Sequence, residues 1–323
     1  PHIYTLLNPG GPVQVPPGAA AGPAIVKKTG FILIWLFPAC ADMKIKFWGA
    51  RGSIPVSGEK YLKYGGDTTC VEIRAASGEL VIVDAGSGIR LLGKELVKEG
   101  LSRFTMLFTH SHWDHVLGFP FFAPIYRKKV AITMMGCSFS EEEPLREIIS
   151  KTMRPPGFPV KFEEISASFS FAPICRKGFR VGSMKIDPIE ISHPNQGLGY
   201  KFTEDGKTFI FLTDNELGYR HEGGRNFEEY AAFAKGADVL VHDADYTDEE
   251  YPLHRTWGHS TSGQALELAV AAGVSSLGLF HHNQERGDEE LDSIVAACGR
   301  QLEGRDGAPS SVFAVRPEQE IIL

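Results

Sequence analysis

Short apolar runs recur along the chain from residue 43 onward, and their length and β-branched or aromatic character predict β-strands. The predicted strands are Lys44–Trp48, Cys70–Arg74, Leu80–Asp84, Thr105–Thr109, Val130–Met134, Lys185–Ile191, Tyr200–Phe202, Thr208–Leu212, Val239–His242 and Leu277–Phe280. The first part of this region is rich in strands, whereas the later part alternates strands with helical patterns. That order predicts an α/β protein.

Apolar positions with a helical period fill several intervals between these runs. The predicted helices are Ile89–Lys98, Phe227–Lys235, Ala265–Ala272 and Glu289–Gly299. Gly100 and Gly273 stand where helices stop, and Thr261 with Gln264 forms a capping-box pattern. Helices covering a mixed sheet, or covering two stacked sheets, fit this order, and we expect one compact domain over 43–323.

The first 42 residues have a different composition, with seven prolines, five glycines and three charged side chains. We expect 1–42 to be a disordered or non-native N-terminal extension, with Met43 as the natural start. A rival interpretation uses the lysine pair at 27–28, the apolar run Phe31–Phe37 and Cys40. Together these resemble a short signal peptide.

Composition narrows the class of protein further. The 33 basic and 40 acidic residues give a net charge of −7, and 43% of the residues are hydrophobic. These values exclude a mainly disordered, collagen-like or coiled-coil chain, and they argue against a protein built chiefly to bind nucleic-acid backbone. No apolar segment has membrane-spanning length, so we expect no membrane partner and a cytoplasmic location. The five cysteines form no CxxC pair, which excludes a thiolate zinc knuckle.

A histidine-rich motif follows the predicted strand Thr105–Thr109. It has the form HxHxDH, with His110, His112, Asp114 and His115. Four potential ligands within six residues are hard to explain as a polar loop, because neither solvent nor an apolar core requires them. Imidazole with carboxylate suits zinc, and also manganese or iron. The motif therefore predicts a metal site, with room for two ions.

Three more candidate ligands each follow a predicted apolar strand. They are His193, Asp214 and His281. Because α/β proteins place their sites beyond the carboxyl ends of strands, we expect these side chains to meet the HxHxDH motif.

The order HxHxDH, His, Asp, His resembles the metallo-β-lactamase superfamily over most of 43–323. The resemblance implies an α/β fold of the αββα four-layer sandwich type, with a dinuclear site at one edge. It also implies two divalent metal ions, Zn²⁺ in preference to Mn²⁺. The implied ligands are His110, His112 and His193 for the first metal, Asp114, His115 and His281 for the second, and Asp214 as the bridging carboxylate.

Further segments are similar to one branch of that family, the ribonuclease Z-like and cyclic-nucleotide phosphodiesterases. These segments are 47–55, 65–70, 193–200 and the His-Ser-Thr motif 259–261. The resemblance implies that Asp114 accepts a proton during catalysis and that His259 assists the leaving oxygen. It also implies a homodimer.

The distance from His193 to Asp214 bears on the substrate. They are 21 positions apart, which leaves room for a two-strand hairpin but not for the long arm typical of bacterial transfer-RNA processing enzymes. We therefore expect a phosphodiesterase acting on cyclic nucleotides or other small phosphodiesters, with RNA disfavoured. The alternatives are a ribonuclease Z-type transfer-RNA 3′-processing endonuclease, a thioester or other hydrolase of the same fold, an iron oxidoreductase, and a metal-binding module without turnover.

Overall fold

The computed structural model describes residues 42–136, 145–174 and 177–323. The extension predicted over 1–42 therefore lies, apart from Asp42, outside the described residues. Fourteen strands in the described part form two mixed sheets of seven strands each.

The first sheet contains a mixture of antiparallel and parallel strands. In chain order it contains β1 (Lys44–Gly49), β2 (Cys70–Arg74), β3 (Leu80–Val83), β4 (Arg103–Leu107), β5 (Ala131–Gly136) and β6 (Ser168–Pro173). Strands β1 to β3 are antiparallel, and β3 to β6 run parallel.

The second sheet repeats this arrangement. It contains β7 (Phe179–Val181), β8 (Met184–Glu190), β9 (Leu198–Glu204), β10 (Lys207–Leu212), β11 (Val239–Asp243), β12 (Ser276–Phe280) and β13 (Ser311–Ala314). Strands β7 to β10 are antiparallel, and β10 to β13 are parallel. The last strand, β14 (Glu320–Ile322), returns to pair with β1 at the edge of the first sheet.

Helices cover the outer faces of both sheets. In chain order the α-helices of the described residues are α1 (Ile89–Glu99), α2 (Trp113–Val116), α3 (Leu145–Thr152), α4 (Phe227–Ala234), α5 (Tyr251–His254), α6 (Ser262–Ala272) and α7 (Asp288–Leu302). Helix α1 ends at Gly100 and α6 at Gly273, both left-handed, and Thr261 caps α6 through its side chain. No helix among the described residues has both the length and the apolar character needed to cross a membrane.

Alternation of side chains along the strands creates the layers. In β10, Phe209 and Phe211 join the apolar cluster between the sheets, whereas Ile210 packs under the helices α4 and α6. Phe47 of the first sheet meets Phe209 with ring centroids 6.3 Å apart. This stacking of two sheets between helices confirms the predicted αββα sandwich.

The predicted elements differ from the observed ones mainly at their ends. The strand predicted at Thr105–Thr109 is observed as β4, which covers Arg103–Leu107. It ends before Thr109, because that residue leaves the ladder and donates two hydrogen bonds to Asp84. The strand predicted at Tyr200–Phe202 is longer in the structure, where β9 covers Leu198–Glu204. Strands β6, β7, β13 and β14 had no predicted counterpart, since their apolar positions are few or interrupted by polar residues.

The packing between the sheets predicts that truncating Phe209 lowers the stability of the fold strongly. Phe209→Ala is expected to lower the free energy of unfolding by about 3–5 kcal/mol, because a buried phenylalanine leaves a cavity. Urea denaturation measures this loss. The control Leu62→Ala, at a side chain that is 80% exposed, is expected to change stability by less than about 0.5 kcal/mol. Equal stability of the two variants would contradict this packing.

Candidate metal centre

The candidate site lies at the carboxyl ends of strands from both sheets. Asp84 directly follows β3, Asp214 follows β10 and His281 follows β12. Each of these three residues has a positive φ, between 52° and 62°. Such a conformation costs a non-glycine residue about 1–3 kcal/mol and is concentrated at functional sites. The backbone therefore turns sharply where the polar side chains are needed.

A first cluster consists of three histidines, His110, His112 and His193. Their ring nitrogens lie within 4.8 Å of one another. The Nε2 of His193 is 3.0 Å from the Nδ1 of His112. His110 and His112 come from the loop after β4, and His193 follows β8. Two segments 81 positions apart thus converge on one point.

A second cluster combines carboxylates with imidazoles. Its members Asp114, His115, Asp214 and His281 are all buried, and their ligand atoms also lie within 4.8 Å of one another. The Nε2 of His281 is 3.1 Å from an oxygen of Asp114, and the Nε2 of His115 is 3.2 Å from an oxygen of Asp214. The structure therefore brings together all seven side chains that the sequence singled out as candidate ligands.

Asp214 lies between the two clusters. Its Oδ1 faces His115 at 3.2 Å. Its Oδ2 lies 3.6 Å from the Nε2 of His110 and 3.9 Å from the Nε2 of His193. One carboxylate thus approaches both groups of imidazoles, which is the position that a bridging ligand requires.

The outer nitrogens of the rings have hydrogen-bond partners of their own. The Nδ1 of His115 lies 2.8 Å from Asp84, that of His193 lies 2.8 Å from the carbonyl oxygen of Gly258, and that of His281 lies 3.1 Å from Asp245. Donation from each Nδ1 leaves the Nε2 lone pair directed into the cluster. Through this contact Asp84 orients the ring of His115.

The donor atoms of these clusters fit a divalent cation. Within the part of the chain that the structure describes, the buried Nε2 atom of His110 has no hydrogen-bond partner, and that of His115 faces only the carboxylate oxygens of the second cluster. Buried polar atoms are otherwise nearly always paired. A cation accepting both lone pairs would satisfy them, and the mixture of imidazole and carboxylate suits zinc or manganese.

Electrostatics differ between the two clusters. Burial holds the pKa of His110 well below its usual range and lowers that of His193 to about 3, so both rings are neutral, as coordination requires. At His115 and His281 burial also opposes charge, but the nearby carboxylates outweigh it and raise both pKa values well above normal. The field of Asp214 and its neighbours therefore attracts positive charge to the second cluster.

His259 lies beside these clusters. Its ring stacks on His281 with centroids 4.5 Å apart, and its Nδ1 lies 2.7 Å from Asp243. Burial disfavours the charged ring, yet Asp243 prevails and raises the pKa of His259 to about 9. Asp243 therefore favours the protonated form of the His259 ring next to the candidate metal centre.

Sequence reasoning missed Glu216, whose buried carboxylate organises the loop before His259. It accepts hydrogen bonds from the hydroxyl of Tyr251, the ring of His221 and the backbone amides of Thr256 and Gly258, at 2.7–2.8 Å. The only sequence signal was a carboxylate two positions after Asp214. Through Gly258, Glu216 holds the carbonyl group that orients His193.

Gly258 could not be another residue without displacing His193. Its φ is +96°, and a Cβ atom would lie 2.2 Å from the Nδ1 of His193. A left-handed conformation and close backbone approach are two reasons for glycine at a position. The loop therefore reaches the ring through its backbone.

The fold and the paired clusters together define a metal-dependent hydrolase of the αββα type. The family model described as the beta-lactamase superfamily domain matches residues 80–282, so the chain belongs to that superfamily. The predicted family and enzyme class are thereby confirmed.

Individual relatives share little sequence identity with this chain. A ribonuclease Z from Haloarcula marismortui is 23% identical over 284 residues, covering 74% of this chain and 86% of the relative. The metallo-beta-lactamase fold protein YhfI from Bacillus subtilis has a TM-score of 0.62 at 16% identity, covering 87% of this chain and 100% of that one. A diphosphatase from the PhnP family has a TM-score of 0.59 at 15% identity, covering 86% and 97%. At such identities the structural likenesses show the fold alone.

The central position of Asp214 predicts that its removal lowers the metal content of the chain. Asp214→Ala is expected to lose at least one bound metal ion per chain, because both clusters lose their shared carboxylate. Inductively coupled plasma mass spectrometry after gel filtration measures the content. The control Asp306→Ala, at an exposed loop, should retain the metal of the unmodified chain. Full metal content in Asp214→Ala would rule out the bridging assignment.

The contacts of Glu216 predict that changing this residue weakens metal binding less than removing Asp214 does. Glu216→Gln places an amide donor where backbone amides donate, so the loop that orients His193 should shift. Metal affinity, measured by competition with a chelator, is expected to fall by about 10- to 100-fold. Glu222→Gln, in the same part of the chain but exposed, serves as the matched control. Equal chelator resistance in both variants would show that Glu216 has no influence on the site.

Proposed function

We propose that this chain is a metal-dependent phosphodiester hydrolase of the ribonuclease Z type, acting on RNA. The observation that carries the proposal is the pair of clusters sharing Asp214, with the ring of His259, paired with Asp243, at their side. Two adjacent cation sites and a proton donor suit displacement at phosphorus. The similarity to ribonuclease Z over most of both chains supports RNA as the substrate class.

The proposed ligands are the seven clustered side chains. His110, His112 and His193 would hold one ion, with Asp114, His115 and His281 holding the other and Asp214 between them. Zn²⁺ is the proposed ion, with Mn²⁺ as the alternative, because the donors are nitrogen and oxygen. When bound, such ions supply Lewis acidity, which makes water a better nucleophile at neutral pH and neutralises charge on phosphate oxygens.

The chain's own groups divide the proton transfers. Asp114 is the proposed proton acceptor, and its carboxylate is held by the backbone amide of Ser53 at 3.0 Å and by His281 at 3.1 Å. His259, held by Asp243 at 2.7 Å, is the proposed donor to the leaving oxygen. A charged imidazole positioned by a carboxylate is well suited to that role.

A small phosphodiester remains the second candidate substrate. Between His193 and Asp214 the chain forms only the β9–β10 hairpin, which turns at Asp205 and Gly206. This segment lacks the long arm typical of bacterial transfer-RNA processing enzymes, so it favours a small diester such as a cyclic nucleotide. Assays of the metal-loaded chain on precursor transfer RNA and on cyclic mononucleotides in parallel discriminate between the two candidates.

The role of His259 predicts an effect that depends on the leaving group. His259→Ala should keep its metal but hydrolyse RNA or a cyclic nucleotide about 10²- to 10⁴-fold more slowly, since an alkoxide leaves poorly without a proton. With bis-p-nitrophenyl phosphate the loss should be smaller, because nitrophenolate leaves readily. Turnover numbers on both substrates test this, with His254→Ala as the control. Equal losses of turnover on both substrates would refute the role of His259 as a proton donor.

A further inference from the structure

An aromatic groove adjoins the candidate metal centre. Its volume is about 700 Å³, and its lining includes Ser111, Trp113, Phe121, Phe158 and Asn195. We call this surface the aromatic groove. Such a volume lies within the range of ligand pockets, about 300–1,000 Å³.

The groove is continuous with the first cluster. Ser111 lies between His110 and His112 in the chain, and the side-chain amide of Asn195 is 3.3 Å from the Nε2 of His112. Trp113 is the first residue of α2 and lies between His112 and Asp114. Anything that fills the groove therefore lies next to the phosphodiester proposed to react.

Aromatic side chains in this groove are exposed to an unusual degree. Trp113 is 82% exposed and Phe121 is 43% exposed. The ring of Phe121 is held edge-to-face by Phe158, with centroids 5.6 Å apart. Large rings grouped in one concave surface, unlike a single exposed ring, indicate a binding site.

A basic surface continues from the far side of the groove. Lys151 of α3 lines both the groove and a neighbouring pocket of about 550 Å³. We call this neighbour the basic pocket. Its charged lining residues are Arg146, Lys151, Arg154 and Lys161, with Glu147 and Glu163. Basic side chains thus outnumber acidic ones here, although the whole chain carries a net charge of −7.

We propose that the aromatic groove binds an unpaired nucleobase next to the scissile phosphodiester, and that a further phosphate of the same strand lies at the basic pocket. Exposed rings beside a basic track are the combination by which proteins bind single-stranded nucleic acid. A paired base stays stacked within its helix, so the groove selects a single-stranded segment. This inference rests on the proposed function, since it names the part of the substrate beside the reacting bond.

Kinetics with two diesters test the groove. The substrates are a nucleoside 5′-p-nitrophenyl phosphate and methyl p-nitrophenyl phosphate, which share a leaving group but differ in that only the first carries a nucleoside. The ratio of their kcat/KM values should fall about 5- to 150-fold in Phe121→Ala, as expected for one lost base stack. Leu62→Ala, outside the groove, should keep the ratio of the unmodified chain. Trp113→Ala is a second variant, at a side chain that contributes little to packing.

Binding provides a measurement that does not need turnover. Fluorescence anisotropy with a labelled phosphorothioate tetranucleotide should show weaker binding in Phe121→Ala than in Leu62→Ala. Arg154→Gln should reduce the slope of log K against log salt by about 0.7, as expected for one lost phosphate contact on a single strand. Arg103→Gln, at the start of β4, is its matched control and should keep the slope.

The outcomes separate the two proposals. If both diesters are cleaved and Phe121→Ala leaves their ratio unchanged, the groove proposal is overturned and the hydrolase proposal stands. If neither diester is cleaved but Phe121→Ala and Arg154→Gln weaken tetranucleotide binding as expected, the groove is supported and the proposed reaction fails. Equal binding by every variant overturns the nucleobase assignment, and an unchanged salt slope in Arg154→Gln overturns the phosphate at the basic pocket.

Discussion

The burial of several carboxylates and imidazoles in a small volume is the constraint on which this structure depends. Asp84, Asp114, Asp214 and Asp243 are all almost fully buried, and unpaired carboxylates in such a place would be very costly. Each one instead faces an imidazole or a hydroxyl group. The fold therefore supplies a framework in which these carboxylates are paired and directed toward one point.

Two stacked sheets make this arrangement possible. Parallel strands in each sheet end at the same edge, so β3 and β4 deliver Asp84 and the HxHxDH loop while β10, β11 and β12 deliver residues from the other side. The apolar cluster between the sheets holds the two halves in register. Atoms that must lie within hydrogen-bond distance are thus positioned by rigid elements, whereas the surrounding loops remain available for substrate selection.

The same loop serves the candidate metal centre and the aromatic groove. His112 and Asp114 point toward the clusters, and Trp113 between them is exposed to solvent. Because both of its neighbours in the chain belong to the clusters, the backbone that carries the Trp113 ring is fixed beside them. The proposed base recognition and the proposed chemistry would thereby share three consecutive residues.

Much of the site could be predicted from the sequence, because the HxHxDH motif is local and His193, Asp214 and His281 each follow an apolar run. Contacts made by backbone groups could not be predicted, since the amide of Ser53 and the carbonyl of Gly258 have no signature in the sequence. Glu216 was missed for a related reason: its partners lie up to 42 positions away and include two backbone amides. Hydrophobic periodicity and ligand type are local properties that the sequence by itself determines. The convergence of distant loops, and the exposure of Trp113 beside a groove, were decided only by the packing of the two sheets, because they depend on which segments the fold brings into contact.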